Sequence, residues 1–544
     1  MDIQLNKEQY DGNIEYKYKL INLDTDKFNR RLTQMHYRLN EGGGEAFYHI
    51  GRSDDGTPLG LNEQEYTESV ENLTKLATSA NCKLSLINES IKDNSYIGEF
   101  LIRLTIVDND YIDIKIGVAG NVDAGKSTTI GTLTKGILDD GRGKARVHVF
   151  NYKHEIISGR TSSIGHQILG FNINGQIINT RFDRQLSWEE ILKQSAKIIS
   201  FYDLAGHEKY LKTTIYGLTS INPDYCMIMI GANMGINQMT REHIMLCLIL
   251  DIQMIICISK IDIAPENILE ETIHKLNNLI KTFAKKQPFY IRTSSDIITS
   301  IQNIKNNNII PIIQLSNVSS IGLDLLKKLL NLLPIRINYN IYRDKPVEFL
   351  IDSTYKVFGH STIVSGLLKS GTINIDDVLT IGPFNDMTYR QIKIRSIHIN
   401  CKNVLVAYSG SYICLSLRNI VRTEIKKGMV IVNNLPENHI AKKDFSALIH
   451  ILHSPTTIKI NYQPFVHIEH IRQVVKLTKI EKINNQQSQT QTQTQTESED
   501  NNILRTGDRA IVNFSFLFRA EYIKPDMKLI FREGKVKAIG KIIN

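Results

Sequence analysis

Residues 112–135, IDIKIGVAGNVDAGKSTTIGTLTK, join an apolar strand to a helix through a loop that few folds can hold. Ile112, Ile114, Ile116 and Val118 alternate, and the run breaks at Gly120. The loop Gly120-Asn121-Val122-Asp123-Ala124-Gly125-Lys126-Ser127 has the form GxxxxGK[ST] and precedes a helical pattern over Thr128–Lys135. Gly120 and Gly125 let the backbone curl until successive N–H groups point at one anion. Lys126 is spaced to reach the outer oxygens of a polyphosphate, and the Ser127 hydroxyl to ligate Mg²⁺. A turn that merely uses glycine has no need of Lys and Ser at this offset. Gly120 to Thr128 is therefore a candidate phosphate-binding set, placed at the end of a sheet strand and the start of a helix.

Three further strand ends carry matching chemistry. The apolar run Ile198–Tyr202 ends in Asp203-Leu204-Ala205-Gly206-His207. A carboxylate at that point can hold Mg²⁺ through water, and the Gly206 N–H can meet a terminal phosphate and move when it leaves. The run Met254–Ile258 delivers Ser259-Lys260-Ile261-Asp262, a variant of NKxD. Asp262 can accept from guanine N1–H and N2–H₂, which adenine lacks, while the Lys260 stem lies across the ring. An isolated Lys and Asp at a strand end would be ordinary surface; their order and spacing after a phosphate loop set them apart. A fourth strand, Ile309–Leu315, ends in Ser316-Asn317, where a base-contacting loop would sit. The expected ligands are GTP and GDP with Mg²⁺.

At 544 residues the chain is too long for one core, and three to four domains are expected. Apolar content of 42% and charged content of 22% are ordinary for a soluble protein. The longest apolar stretch, Ile244–Ile258, is interrupted by Asp251 and Gln253, so no membrane span or membrane partner is expected. The start MDIQLNKEQY has no basic and apolar leader pattern. The six cysteines are dispersed without zinc spacing, and Cys226, Cys247 and Cys257 lie in apolar runs, which points to a reduced, cytoplasmic setting. A net charge of +9 suits an RNA-facing protein but discriminates little by itself.

Organisation follows from the changing periodicity. Residues 1–111 are of mixed character, with a turn at Gly42-Gly43-Gly44 and an amphipathic helix expected over Tyr66–Ala80. Residues 112–338 alternate strand and helix, the pattern of a parallel sheet with helices on both faces. Leu269, Ile273, Leu276, Ile280 and Phe283 recur at helical spacing after Pro265. Short strands with turn signals at Gly359, Ser365-Gly366, Ser370-Gly371, Asp376-Asp377 and Lys427-Gly428 suggest a β-barrel over 343–433. A second β region covers 440–544. It is interrupted at 484–502 by a tract containing QTQTQTQT, which has too few apolar residues to form a core and is expected to be a disordered loop.

GNVDAGKST, DLAGH and the strand-rich C-terminal part resemble translational GTPases of the elongation factor Tu type. Longer strings resemble the GTP-binding protein 1 and 2 family: GILDDGRGKARVHVFNYKHEIISGRTSSIGHQILGF (136–171), REHIMLCLIL (241–250), ILHSPTTI (451–458), LRTGD (504–508) and FREGKVKAIG (531–540). GNIEYKYKL (12–20) and RLNEGGGEAFYHIG (38–51) extend the likeness upstream. The resemblance implies a multidomain α/β plus β protein: a P-loop GTPase domain followed by two β-barrels, with a small N-terminal α+β region. It implies that Thr161, in Ser158-Gly159-Arg160-Thr161, is a second Mg²⁺ ligand in the GTP state, and that His207 is the catalytic residue that positions the attacking water. Asp123, with the Gly159 carbonyl, would hold a monovalent cation; a loop-capping aspartate is the alternative.

Three positions depart from the elongation-factor pattern. Ser259 stands for the usual Asn, whose amide ties the base loop to the phosphate loop, and Ala205 for the usual Pro. Arg160 stands for an apolar residue, leaving Val122 alone of an apolar screen over His207; Arg160 is either an arginine finger in cis or a solvent- or RNA-facing side chain. Two functions are compatible with the resemblance. One is a switch working with the ribosome and tRNA or another RNA, in translation or mRNA surveillance. The other is a non-ribosomal, GTP-dependent adaptor that recruits RNA-decay machinery.

Overall fold

The structure, a computed structural model, describes residues 8, 10–92, 94–105, 111–150, 152–158, 161–181, 184–304, 308–355, 362–433, 441–483, 503–533 and 536–543. The chain divides into two compact units, Met1–Thr214 with Pro223–Asn338, and Ile215–Asn222 with Tyr339–Asn544.

The first unit opens on a four-stranded sheet, order β1-β2-β4-β3, of β1 (Ile14–Lys17), β2 (Glu45–Ile50), β3 (Cys82–Lys92) and β4 (Ser95–Leu104). Helices α1 (Thr25–Glu41) and α2 (Glu63–Ser79) start where Asp24 and Asn62 accept the N–H groups of Lys27 and Glu65. α2 is the helix expected over Tyr66–Ala80. α1 stops at Gly42, and Gly43 and Gly44 turn the chain at φ +62° and +106°. Met35, Leu39, Tyr66, Leu73 and Leu76 of the helices pack with Tyr48, Ile50, Phe100 and Ile102 of the sheet.

The period of two along β2 and β4 turns Phe47 and Leu101 to the opposite face, into one apolar cluster with Ile114, Ile116 and Leu329. Each such side chain contributes roughly 1.5–3 kcal/mol when fully buried. Glu45 lies beside them, accepting from Arg103 Nε at 2.6 Å and Lys197 Nζ at 2.8 Å. Burial raises the Glu45 carboxyl, but Arg103 and Lys197 outweigh it and hold it below the usual carboxylate range. Burial draws Lys197 down to about 8 against the pull of Glu45. The N-terminal sheet thus packs on the sheet that follows through apolar contacts and a buried charge network.

That second sheet is built from β5 (Ile112–Gly120), α3 (Lys126–Lys135), α4 (Lys144–Val147), α5 (Lys153–Ser158), β6 (Gly165–Phe171), the short ribbon of β7 (Thr180–Arg181) and β8 (Arg184–Gln185), α6 (Trp188–Gln194) and β9 (Lys197–Asp203). It continues through α7 (Leu211–Ile221), β10 (Tyr225–Gly231), α8 (Gln238–Leu250), β11 (Gln253–Ser259), α9 (Glu266–Leu279), β12 (Gln287–Tyr290), α10 (Ser294–Ile304), β13 (Ile309–Gln314) and α11 (Leu323–Leu332). The order is β12-β13-β11-β10-β5-β9-β6. The strands run parallel except the edge strand β6, which is antiparallel to β9, so the sheet is mixed at one margin. β9, β10 and β11 are buried at every residue, as strands covered on both faces must be. Cys226, Cys247 and Cys257 are buried free thiols in this core. α9 departs from its sequence pattern at the end. After Leu279 the helix widens into a π turn over Ile280–Ala284; Ile280 stays buried, but Phe283 is turned outward and exposed.

The second unit holds two closed six-stranded barrels. Strands Val378–Gly382, Val430–Val432, Glu348–Tyr355, Thr362–Ser370, Tyr412–Arg418 and Arg390–Ile399 form the first, the last pairing back on Val378–Gly382. Asp444–His453, Arg509–Phe516, Ile471–Lys482, Phe465–Ile468, Lys528–Glu533 and Val536–Ile542 form the second, closed by the last strand on the first. Gly371, Asp376 and Gly428 turn the chain at positive φ, as their sequence context suggests. Ser365-Gly366 is not a turn. It lies inside a strand, where a Cβ on Gly366 would come 1.8 Å from the Leu350 carbonyl oxygen, so the glycine answers a close backbone approach. Gly359 and the Gln/Thr tract lie outside the described residues.

Candidate nucleotide site

β5 delivers its loop beneath β10. At φ +145°, a Cβ on Gly120 would sit 2.3 Å from the Met229 carbonyl oxygen, so the first loop glycine has no substitute. Gly125, at φ +82°, opens α3, and its N-terminal turn carries Lys126, Ser127 and Thr128. The Lys126 ammonium donates to the Asn121 carbonyl at 2.8 Å, bringing the charge back over the loop. β9, pairing alongside β5, sets Asp203 opposite Val118. Ser127 Oγ donates to Asp203 Oδ2 at 2.5 Å, Thr161 Oγ1 donates to the same oxygen at 3.2 Å, and the two hydroxyls are 3.0 Å apart. The three residues assigned to a metal therefore converge. Asp203 Oδ1 is buried with no hydrogen-bond partner among the described residues. Burial raises the Asp203 carboxyl and lowers the Lys126 ammonium, each opposed by the other's charge.

Gly206 lies against this cluster: a Cβ there would meet Lys126 Nζ at 2.4 Å and the Gly120 carbonyl oxygen at 2.6 Å. Ala205, in the place of the usual Pro, is buried, and its carbonyl accepts from Thr214 Oγ1 at 2.7 Å. His207 follows at the start of a short helical turn. Its Nδ1 accepts the Lys209 N–H at 3.1 Å, so the ring proton of the neutral imidazole lies on Nε2. A cleft is lined by Val122, Asp123, Gly125–Thr128, Arg146, Thr161, Gly206 and His207.

The base-end loops meet the phosphate loop from β11 and β13. Ser259 Oγ donates to the Ala124 carbonyl at 2.8 Å, so the serine makes the tie that the usual asparagine would make. Asn317 donates from Nδ2 to Thr129 Oγ1 at 2.9 Å, and its carbonyl accepts the Asp139 N–H at 2.9 Å. Ser316 Oγ accepts the N–H groups of Val318 and Ser319 and holds its own turn. Lys260 takes φ +60° and Asp262 is exposed beyond the end of β11; neither lines the cleft described above. Asp123, at φ +58°, is exposed on the cleft, while Gly159 and Arg160 lie outside the described residues.

Residues that sequence reasoning missed lie between α3 and β6. Asp139 accepts the N–H groups of Gly141, Gly143 and Ala145, and Asp140 those of Arg142 and Lys144. Glu155 accepts the N–H and hydroxyl groups of Ser162 and Ser163, which fixes the chain beside Thr161. Burial raises the Glu155 carboxyl, but these donors outweigh it and hold it below its usual range. The available signal was a pair of aspartates followed by alternating glycines, the composition of carboxylate-capped turns.

A phosphate loop and two further nucleotide loops at the strand ends of such a sheet, with two six-stranded barrels after it, define a translation-factor type of P-loop GTPase. The family described as elongation factor Tu GTP binding domain matches residues 113–335. GTP-binding protein 1 of Xenopus laevis is 40% identical over 542 residues, covering 99% of this chain and 79% of that protein. GTP-binding protein 2 of Homo sapiens is 39% identical over 546 residues, covering 98% of this chain and 87% of that protein. The crystal structure of a bacterial selenocysteine-specific elongation factor, EF-Sec, superposes with a TM-score of 0.54 at 18% identity, a likeness of fold; the match covers 79% of this chain and 58% of that one. The chain belongs to the GTP-binding protein 1/2 family of elongation-factor-Tu-like translational GTPases. It binds guanine nucleotide and is a GTPase. Among the described residues no helix is long and apolar enough to cross a membrane.

Proposed function

We propose that this GTPase is a switch that works with the ribosome and tRNA or another RNA in the cytoplasm, in translation or mRNA surveillance. The reading is carried by one arrangement: Thr161 and His207 line the same cleft as the phosphate loop, ahead of two barrels of elongation-factor type. EF-Sec, which shares this fold, is an elongation factor, and that supports the reading by analogy.

In this reading the amides of Gly120–Thr128 and the Lys126 ammonium hold the β- and γ-phosphates, and Gly206 approaches the γ-phosphate. Asp262 reads guanine under the Lys260 stem, with Ser259 tied to the phosphate loop, Asn317 tied to α3, and Ser316 holding its own turn. Ser127, Thr161 and Asp203 form an all-oxygen set that suits a hard divalent ion, and the unpartnered Asp203 Oδ1 leaves an acceptor for its water. Mg²⁺ held there would neutralise charge on the phosphate oxygens. Asp123 would hold a monovalent cation. With its proton on Nε2, His207 donates to the oxygen of the attacking water and orients it rather than removing its proton.

The test is GTP turnover of the full chain with and without ribosomes. Ribosomes should accelerate hydrolysis, and His207→Ala should remove about a hundredfold or more of the stimulated rate while GTP affinity holds within about threefold. No stimulation, together with GTP-dependent capture of RNA-decay factors, would replace this reading with the adaptor one.

A further inference from the structure

We propose that Arg146 is a catalytic residue, an arginine supplied in cis whose guanidinium engages the terminal phosphate oxygens as charge develops on them. The proposal rests on the assignment of the cleft to GTP above. Arg146 lines the same cleft as Lys126 and Ser127 of the phosphate loop and as Thr161 and His207. It belongs to the basic run Arg142-Gly143-Lys144-Ala145-Arg146, in which Arg142 and Lys144 are exposed and only Arg146 reaches the cleft. Among the described residues its half-buried guanidinium has no hydrogen-bonding or ion-pair partner, although basic side chains elsewhere in this unit, such as Arg38, Arg103 and Lys197, are paired. A planar five-donor fork at the mouth of a phosphate site, without an acceptor of its own, matches a transferring phosphoryl group better than it matches water.

The backbone beneath it is fixed before any ligand arrives. A Cβ on Gly131 of α3 would lie 2.2 Å from the Ala145 carbonyl oxygen, so α4 rests directly on the phosphate-loop helix. Asp139 draws in the N–H groups of Gly141, Gly143 and Ala145 at 3.1, 3.3 and 3.0 Å. Gly143 takes φ +97°, and a Cβ there would meet Arg146 Nε at 2.3 Å; the side chain folds over that glycine. A cation held in place this way needs little reorganisation at the moment of reaction, which is what electrostatic catalysis requires. Lys126 neutralises the phosphates from within the loop, and Arg146 would do so from α4.

The test compares Arg146→Ala and Arg146→Lys with the unaltered full chain, by single-turnover hydrolysis and by affinity for a non-hydrolysable GTP analogue and for GDP with fluoroaluminate. Arg146→Ala should slow hydrolysis about a hundredfold or more and weaken the fluoroaluminate complex in parallel, with analogue affinity held within about threefold. Arg146→Lys should recover less than about a tenth of the rate, since it restores charge but not the fork. Unchanged hydrolysis in Arg146→Ala, or a loss of analogue affinity as large as the loss of rate, would overturn the proposal. Lys126→Ala separates the two levels: if it leaves GTP binding intact the cleft assignment itself fails, whereas if it abolishes binding and Arg146→Ala has no effect, only the role of Arg146 falls.

Discussion

The wall of the cleft formed by Gly120–Thr128 is framed by the sheet, whereas the wall that carries Arg146 and Thr161 is hung on carboxylates. On the first, Gly120 is pressed against Met229 of β10, Ser259 of β11 ties down Ala124, and Asn317 beyond β13 ties down Thr129. On the second, Asp139, Asp140 and Glu155 each gather N–H groups from short turns, with Ala145 and Val149 buried beside them. A group set in a sheet edge keeps its place through the nucleotide cycle. One held by carboxylate-capped turns depends on a few side-chain acceptors, so the loss of one displaces the groups it carries. The first wall should therefore govern how tightly GTP is held, and the second how fast it is hydrolysed.

Substitutions that break one wall at a time separate these roles. Asp139→Ala removes the acceptor for three N–H groups under Arg146 and should lower single-turnover hydrolysis by about tenfold or more, with affinity for a GTP analogue held within about threefold. Ser259→Ala is a smaller lesion. It leaves the buried Ala124 carbonyl without its donor, worth about 1 kcal/mol, and should weaken GTP about fivefold without changing the rate at saturation. The opposite pattern, affinity lost in the first variant and rate in the second, would dissolve the distinction.

The first wall was legible in the sequence because its chemistry sits at fixed offsets from apolar strands: Gly120 closes β5, Asp203 closes β9, Ser259 closes β11, and Asn317 follows β13. The second wall has no periodic apolar pattern to mark its elements, so Arg146 and Glu155 gave no signal, although Thr161 was found through resemblance. Ser259 stands where an asparagine usually makes the tie, and its position in the sequence does not show that a hydroxyl makes it here. Pairing of β11 with β10 brings it within reach of Ala124. The union of the N-terminal sheet with the next core was also hidden. Phe47 and Leu101 look like ordinary strand residues, and Glu45, Arg103 and Lys197 are too far apart in sequence to suggest a buried network. Gly366 misled for a related reason, since a glycine that marks close backbone approach reads the same as one that marks a turn.

Guanine recognition by Asp262 at the far end of the triphosphate held by Lys126 is the claim on which the rest depends. Competition binding of GTP, ATP and XTP to the full chain and to Asp262→Asn tests it most directly. The unaltered chain should prefer GTP over ATP by about a hundredfold or more, because adenine offers the Asp262 carboxylate neither of guanine's two donors. Asp262→Asn should lose GTP and gain XTP, since its amide can accept from the xanthine N1–H and donate to O2. Comparable affinity for ATP in the unaltered chain, or an intact GTP preference in Asp262→Asn, would contradict it.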